Sequence, residues 1–222
     1  MIHVAIDGPS GAGKSTIARM VAAELGYVYI DTGALYRSVG VAAIKRGFDP
    51  ANREQVEAML PEIEVSLGFV DGIQHVYLNG EDVSEEIRLP EASMAASAVS
   101  ALPAVRAFLF DLQREIAAKN NCIMDGRDIG TVVLPDADVK IFLTASPEVR
   151  ARRRYDELLA RGNQVEFEPL LQEIIQRDYN DSHRAAAPLK QAEDAVLLDC
   201  SDLNLEQVKA QVIDLIHKKV GV

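Results

Sequence analysis

Residues 8–15 read Gly-Pro-Ser-Gly-Ala-Gly-Lys-Ser and come directly after the short apolar run at residues 3–7. The octet fits G-x-x-x-x-G-K-[ST] without a mismatch. Its glycines let the backbone curl so that successive N–H groups face inward as an anion nest. A helix opening near Lys14 adds the positive end of its dipole. Lys14 offers a point charge to β- and γ-phosphates, and the Ser15 hydroxyl can ligate Mg²⁺. Gly8, Pro9, Ser10, Gly11, Ala12, Gly13, Lys14 and Ser15 are therefore the expected triphosphate site. A strand before the loop and a helix after it separate such a site from a bare glycine turn.

The rest of the chain alternates in the same way. Ile17, Ala18, Val21, Ala22 and Leu25 recur at helical spacing, and Gly26 suits the C-cap. Residues 27–30 read as a strand, and Asp31 or Thr32 can cap a helix that stops at Gly47. Residues 64–77 alternate weakly around the turn signal Asp71-Gly72, and a second turn signal, Asn79-Gly80, follows, which predicts a small antiparallel sheet. Helices are expected over 104–119, after Ser146-Pro147, over 167–179 and over 205–219, with strands at 122–125, 139–143 and 195–198. The expected fold is α/β with a central parallel sheet, right-handed crossovers and helices on both faces. Ligands then bind at the carboxyl ends of the strands.

Composition narrows the function. The net charge is −11, which argues against a nucleic-acid partner. No apolar run approaches the roughly 20 residues that cross a bilayer, and the first residues lack the basic start of a leader. No membrane partner is expected. The two cysteines, Cys122 and Cys200, belong to no metal motif, and two buried reduced thiols in a cytoplasmic protein are expected. Against this acidic background Arg150, Arg152, Arg153, Arg154, Arg161, Arg177 and Arg184 crowd into one stretch. That crowding suits either a solvated helix face or a site for a small polyanion.

A guanine-reading N-K-x-D sequence is absent, which counts against a GTPase switch. Residues 122–125 could be the apolar strand of a mechanical ATPase, with Asp125 holding the metal through water. The next three residues are Gly126-Arg127-Asp128, and an arginine beside the loop suits a second phosphate better than a water. A monophosphate carries about −1.5 to −2 charge. It meets a triphosphate only if fixed cations stand between the two, and a guanidinium binds phosphate as a bidentate fork. A mobile arginine-rich lid would also keep water from taking the phosphoryl group. Residues 150–162 have that makeup, with Arg161-Gly162-Asn163 as a hinge-like turn.

Four segments together, IDGPSGAGKST, DTGALYR at 31–37, DGRDIGTVV from Asp125 and RDYNDSHRAAAPL at 177–189, resemble bacterial-type cytidylate (CMP) kinases among the nucleoside monophosphate kinases. The resemblance runs the length of the chain. It implies a single three-layer P-loop kinase domain over 1–222. A nucleotide-binding insertion would lie at about 32–103, with its small antiparallel sheet at about 63–88, and a lid at about 150–164. It implies ATP, CMP and dCMP as substrates, Mg²⁺ as cofactor, and a monomer.

The same resemblance implies residue roles. Gly8 to Thr16 would hold ATP, so that Thr16 joins the loop. Arg37 and Arg127 would grip the acceptor phosphate. Ser97, Arg106 and Asp128 would read the cytosine edge. Arg177 and Asp181 would contact the ribose, Arg184 the acceptor or the transferring phosphate, and Arg154 and its neighbours the lid side of ATP. Ser15 and Asp125 would serve the metal. Thr32 stands where some members carry serine.

Base chemistry agrees with part of this. Cytosine presents an N4 amino donor beside the N3 and O2 acceptors, which suit a carboxylate and a guanidinium respectively. Uracil has a carbonyl at position 4 and N3–H, so it reverses the sense at both of those atoms, and fixed buried polar groups reject the wrong base strongly. A kinase of another small acceptor such as UMP, or a nucleotide-binding regulator, remains the alternative.

Overall fold

The computed structural model describes residues 1–70 and 72–221. Asp71, half of one expected turn, lies outside the described residues. The chain forms two compact units, one of Ile2–Tyr27 with Asn121–Val222, the other chiefly Val28–Asn120.

The first unit is built on parallel strands. Strand β1 (His3–Asp7) leads into the glycine loop and then α1 (Lys14–Leu25). Val4, Ala5 and Ile6 are fully buried. An unbroken apolar run is what a strand covered on both faces requires. Later in the chain come β6 (Cys122–Gly126), β7 (Val139–Thr144), α6 (Pro147–Ala160), α7 (Phe167–His183), β8 (Val196–Asp199) and α8 (Leu205–Val220). The strands stand in the order β6-β1-β7-β8, all parallel. Helix α1 packs on β6, β1 and α8, and α8 packs on β7. Ile17, Val21, Ile123, Met124, Ile141, Leu143, Val212 and Ile216 fill this core. Each such side chain stabilises the fold by roughly 1.5–3 kcal/mol.

The second unit begins with β2 (Val28–Asp31), α2 (Thr32–Lys45) and α3 (Arg53–Met59). An antiparallel sheet comes next, in the order β3-β4-β5, from Val65–Val70, Ile73–Leu78 and Glu81–Asp82. Two helices, α4 (Pro90–Val99) and α5 (Pro103–Ala118), complete it. Leu35, Val39, Val56, Met59, Val76, Val83, Val99, Val105 and Leu109 form its core.

The alternation of strands and helices is as the sequence predicts, with ends shifted by a residue or two. Helix α7 runs four residues past its expected end, to His183. Short α3 and α4 have no counterpart among the sequence expectations. The Asn52 side chain caps the first, and Pro90 opens the second at its first position. Cys122 and Cys200 are both buried and unbridged, and burial pushes the Cys122 thiol up to about 12, leaving it inert. Among the described residues no single helix is long and apolar enough to cross a membrane.

Candidate active site

Strand register sets the geometry. In the pairing of β1 with β6, Asp7 lies opposite Gly126. The glycine loop and the segment from Arg127 therefore leave neighbouring strands at the same carboxyl edge. Gly8 starts the loop with φ 149°, and a Cβ there would come within 1.9 Å of the Leu143 carbonyl oxygen on β7. Only glycine passes so close to the strand. Helix α1 begins at Gly13 with no side-chain cap and no acidic residue in its first turn. Helices α2, α6 and α8, in contrast, are capped by Asp31, Ser146 and Asn204. The leading N–H groups of α1 are thus left for an anion.

Lys14 is buried beneath the loop and donates from Nζ to the Pro9 carbonyl at 2.8 Å. Burial, and after it the nearby Arg127 charge, lowers its pKa to about 7. Ser15 Oγ donates to Asp125 Oδ2 at 2.8 Å. The hydroxyl and the buried carboxylate offer hard oxygen donors side by side, a set that suits Mg²⁺ held mainly by substrate phosphates and water. Thr16 is exposed on the first turn of α1.

After β6 the chain turns through Arg127 and Asp128 into a π-helical segment, Ile129–Val133. Nothing in the sequence announces it. Val133 N–H bonds back to the Asp128 carbonyl at 3.2 Å, and Leu134 N–H to that of Ile129 at 2.7 Å. Its leading amides are fixed by Asp7, whose carboxylate accepts from Ile129 N–H at 2.8 Å and Gly130 N–H at 2.7 Å. Burial raises the Asp7 pKa to about 6 despite those two bonds, with the Asp128 charge adding to the rise. Sequence reasoning passed over Asp7. Its signal was a carboxylate closing an apolar strand immediately before the loop.

Arg127 donates from Nε to Asp181 Oδ2 on α7 at 2.9 Å. Arg184, the C-cap of α7, lies with Nη2 at 3.7 Å from Asp128 Oδ1, and its Nε donates to the Ala187 carbonyl at 2.8 Å. Arg177 is half-buried on the same helix. The structure thus gathers Lys14, Arg127, Asp128, Asp181 and Arg184 in one unit.

Thr32, Arg37, Ser97 and Arg106 lie in the other unit. Thr32 is buried at the start of α2. Arg37 Nη2 is paired with Asp31 Oδ2 at 2.7 Å. The Arg106 guanidinium lies 5.3 Å from the Tyr36 ring centre and donates to the Ser100 carbonyl at 3.3 Å. Ser100 Oγ in turn donates to the Ser97 carbonyl at 3.1 Å, so Ser97 and Arg106 share one neighbourhood.

The arginine crowd needs a correction. Arg150 is buried, and its guanidinium bonds to the Ser10 and Ala145 carbonyls and to Asp178. Arg152 lies over the Phe167 ring at 4.4 Å and beside Tyr155 at 5.4 Å. Arg153 donates to the Cys200 carbonyl at 2.7 Å. These three tie α6 to its neighbours, because a guanidinium on a half-buried helix is drawn to whatever carbonyl, carboxylate or ring is in reach. Arg154 and Arg161 remain outward, each beside Glu157.

Comparison with known proteins decides the family. The cytidylate kinase family model matches residues 4–218. The chain belongs to the cytidylate kinase family. It is 50% identical over 219 residues to the cytidylate kinase of Caldicellulosiruptor bescii, spanning 99% of this chain and 97% of that one. It is 51% identical over 212 residues to that of Pelotomaculum thermopropionicum, spanning 95% and 94%. With that of Carboxydothermus hydrogenoformans it shares 47% over 221 residues, spanning the full length of both. Among solved structures, shikimate kinase from Bacteroides thetaiotaomicron superposes with a TM-score of 0.50 at 15% identity, covering 97% of this chain and 98% of that one. That likeness concerns the kinase fold alone.

Proposed function

We propose that this chain transfers the γ-phosphoryl group of ATP directly to CMP, and to dCMP, giving the diphosphate. The observation that carries the reading is Arg127, close enough to Lys14 for its charge to be felt there, and steadied by Asp181. Arg127, and Lys14 once the triphosphate has drawn a proton onto it, are two cations at one strand edge that let two anions come together.

In this reading Gly8 to Thr16 cradle the triphosphate through their amides, and Lys14 neutralises the β- and γ-oxygens. Ser15 and Asp125 would hold Mg²⁺, which when bound supplies further charge neutralisation across the phosphates. Arg127 and Arg37 grip the acceptor phosphate, and Arg184 meets charge that develops on the phosphoryl group. Asp128 accepts from the cytosine N4 amino group, while Arg106 and Ser97 face its other edge. Arg177 and Asp181 flank the ribose, with Thr32 near the base. The segment at about 150–164, with Arg154, covers ATP and excludes water. The insertion at about 32–103 carries the acceptor. The protein acts as a monomer in the cytoplasm, on small nucleotides rather than on nucleic acid or membrane.

A coupled assay with ATP and a panel of monophosphates tests this. CMP should give the highest kcat/KM, with ADP released only when an acceptor is present. Preference for AMP, GMP or TMP would overturn the assignment, and preference for UMP would favour the other acceptor class.

A further inference from the structure

Arg150 sits in the first turn of α6 at 2% exposure, and each nitrogen of its guanidinium is engaged. Nε donates to the Ala145 carbonyl at 2.9 Å. Nη1 donates to the Ser10 carbonyl at 2.9 Å and to Asp178 Oδ1 at 3.0 Å. Nη2 donates to Asp178 Oδ2. The stem also lines the loop, since a Cβ on Gly11 would stand 3.4 Å from that of Arg150. One side chain therefore ties the crown of the phosphate loop to α7.

Helix α7 packs along α6, where Tyr155 meets the Phe167 ring edge-on. Of its 17 residues, Ile174 and Asp181 are the buried ones. With so few side chains fully buried, directional polar ties add to that packing in placing the helix. A forked guanidinium–carboxylate pair is directional, and a buried one is weakly screened. Asp181 lies one turn beyond Asp178 on α7 and holds Arg127. The contacts therefore run from Ser10 through Arg150 and Asp178 along α7 to Asp181 and Arg127. They close on β6, the neighbour of the strand from which the loop springs.

We propose that Arg150 and Asp178 are positioning residues that set the register between the donor phosphate and the acceptor phosphate. The inference rests on the function proposed for this chain, because Arg127 is an acceptor contact only there. Neither residue needs to touch a nucleotide. Ser10 belongs to the donor side, and Asp181, through Arg127, to the acceptor side. The pair fixes the distance between them.

Register matters most in the transition state, so its loss should fall on kcat rather than on binding. Asp178→Asn keeps the shape of the side chain and removes its charge. Its kcat with ATP and CMP should fall about tenfold or more, because small misplacements of reacting groups cost rate steeply. KM for both substrates should change less than about threefold, and ATP should raise the melting temperature as it does in wild type. Asp178→Glu keeps the charge and moves it by one methylene. It guards against a misfolded asparagine variant, and should recover part of the lost kcat.

Wild-type kcat in Asp178→Asn, with only a lowered melting temperature, would mean that the pair is merely structural and would overturn the proposal. So would a change confined to KM, or loss of the ATP-dependent stabilisation. Failure of the functional reading shows separately, as wild-type protein that does not phosphorylate CMP. In that case the variant-to-wild-type ratio on whichever acceptor is used still reports on the bridge.

Discussion

The Asp181 carboxylate on α7 accepts the Nε–H of Arg127, 54 residues earlier, at 2.9 Å, and both side chains are largely shielded from water. The bond fixes the plane of the guanidinium, whose Nη1 also donates to the Gly126 carbonyl at 3.5 Å. Arg127→Ala should raise the CMP KM and lower kcat together. Asp181→Asn should do the same by a smaller factor, of about ten, because the arginine persists but loses its orientation. The double variant should lose little more than Arg127→Ala alone. Steady-state kinetics on the three proteins checks this. Additive losses would mean that the two residues act separately.

Lys14, lowered to about 7 mainly by burial, is largely neutral in the free protein above that pH. A triphosphate favours its charged form, so binding must pull a proton from solvent. At pH 8 ATP binding should take up nearly one proton, and at pH 6 almost none, since the lysine is already charged there. Calorimetry in two buffers of different ionisation enthalpy measures the uptake. It should vanish in Lys14→Ala along with most of the activity.

Asp128 is buried at the turn after β6, beside Arg184. If its carboxylate reads the cytosine N4 amino group, Asp128→Ala should reduce kcat/KM for CMP far more than for UMP. Bidentate or charged base contacts discriminate by about 1–3 kcal/mol. Equal losses on the two bases would remove Asp128 from the specificity set.

Gly40 illustrates packing that overrides local preference. A Cβ there would come within 2.7 Å of the Ala95 Cβ and 3.2 Å of the Ala95 and Ala96 backbone, where α2 crosses α4. Glycine to alanine inside a helix normally stabilises by about 1 kcal/mol. Here overpacking should reverse the sign and cost roughly 1–3 kcal/mol. At about 2–4 °C per kcal/mol for a chain of this size, thermal melting of Gly40→Ala resolves the difference.

What could be read beforehand divides along physical lines. The phosphate loop is a local pattern, in which eight adjacent residues state their own backbone shape and charge. The β1–α1 unit and the later alternation of strands and helices are likewise local periodicity. Asp7, Arg150 and the π-helical segment at Ile129–Val133 belong to another category. Asp7 finds its partners 122 and 123 residues away, and Arg150 reaches Ser10 across 140. No window of sequence contains both ends of such a bond. The arginine crowd shows the converse error. Composition counted seven guanidinium groups in one stretch, yet buried Arg150 and exposed Arg153 bond to carbonyl oxygens and exposed Arg152 lies over a ring.

The central claim is direct passage of a phosphoryl group between two anions held side by side. ATP labelled in its γ-phosphate, mixed with CMP and the protein, tests it most directly. The account requires the label to appear in the β-phosphate of CDP, at the rate of ADP formation, with none bound to protein. Label found as inorganic phosphate, or retained on the chain, would contradict it.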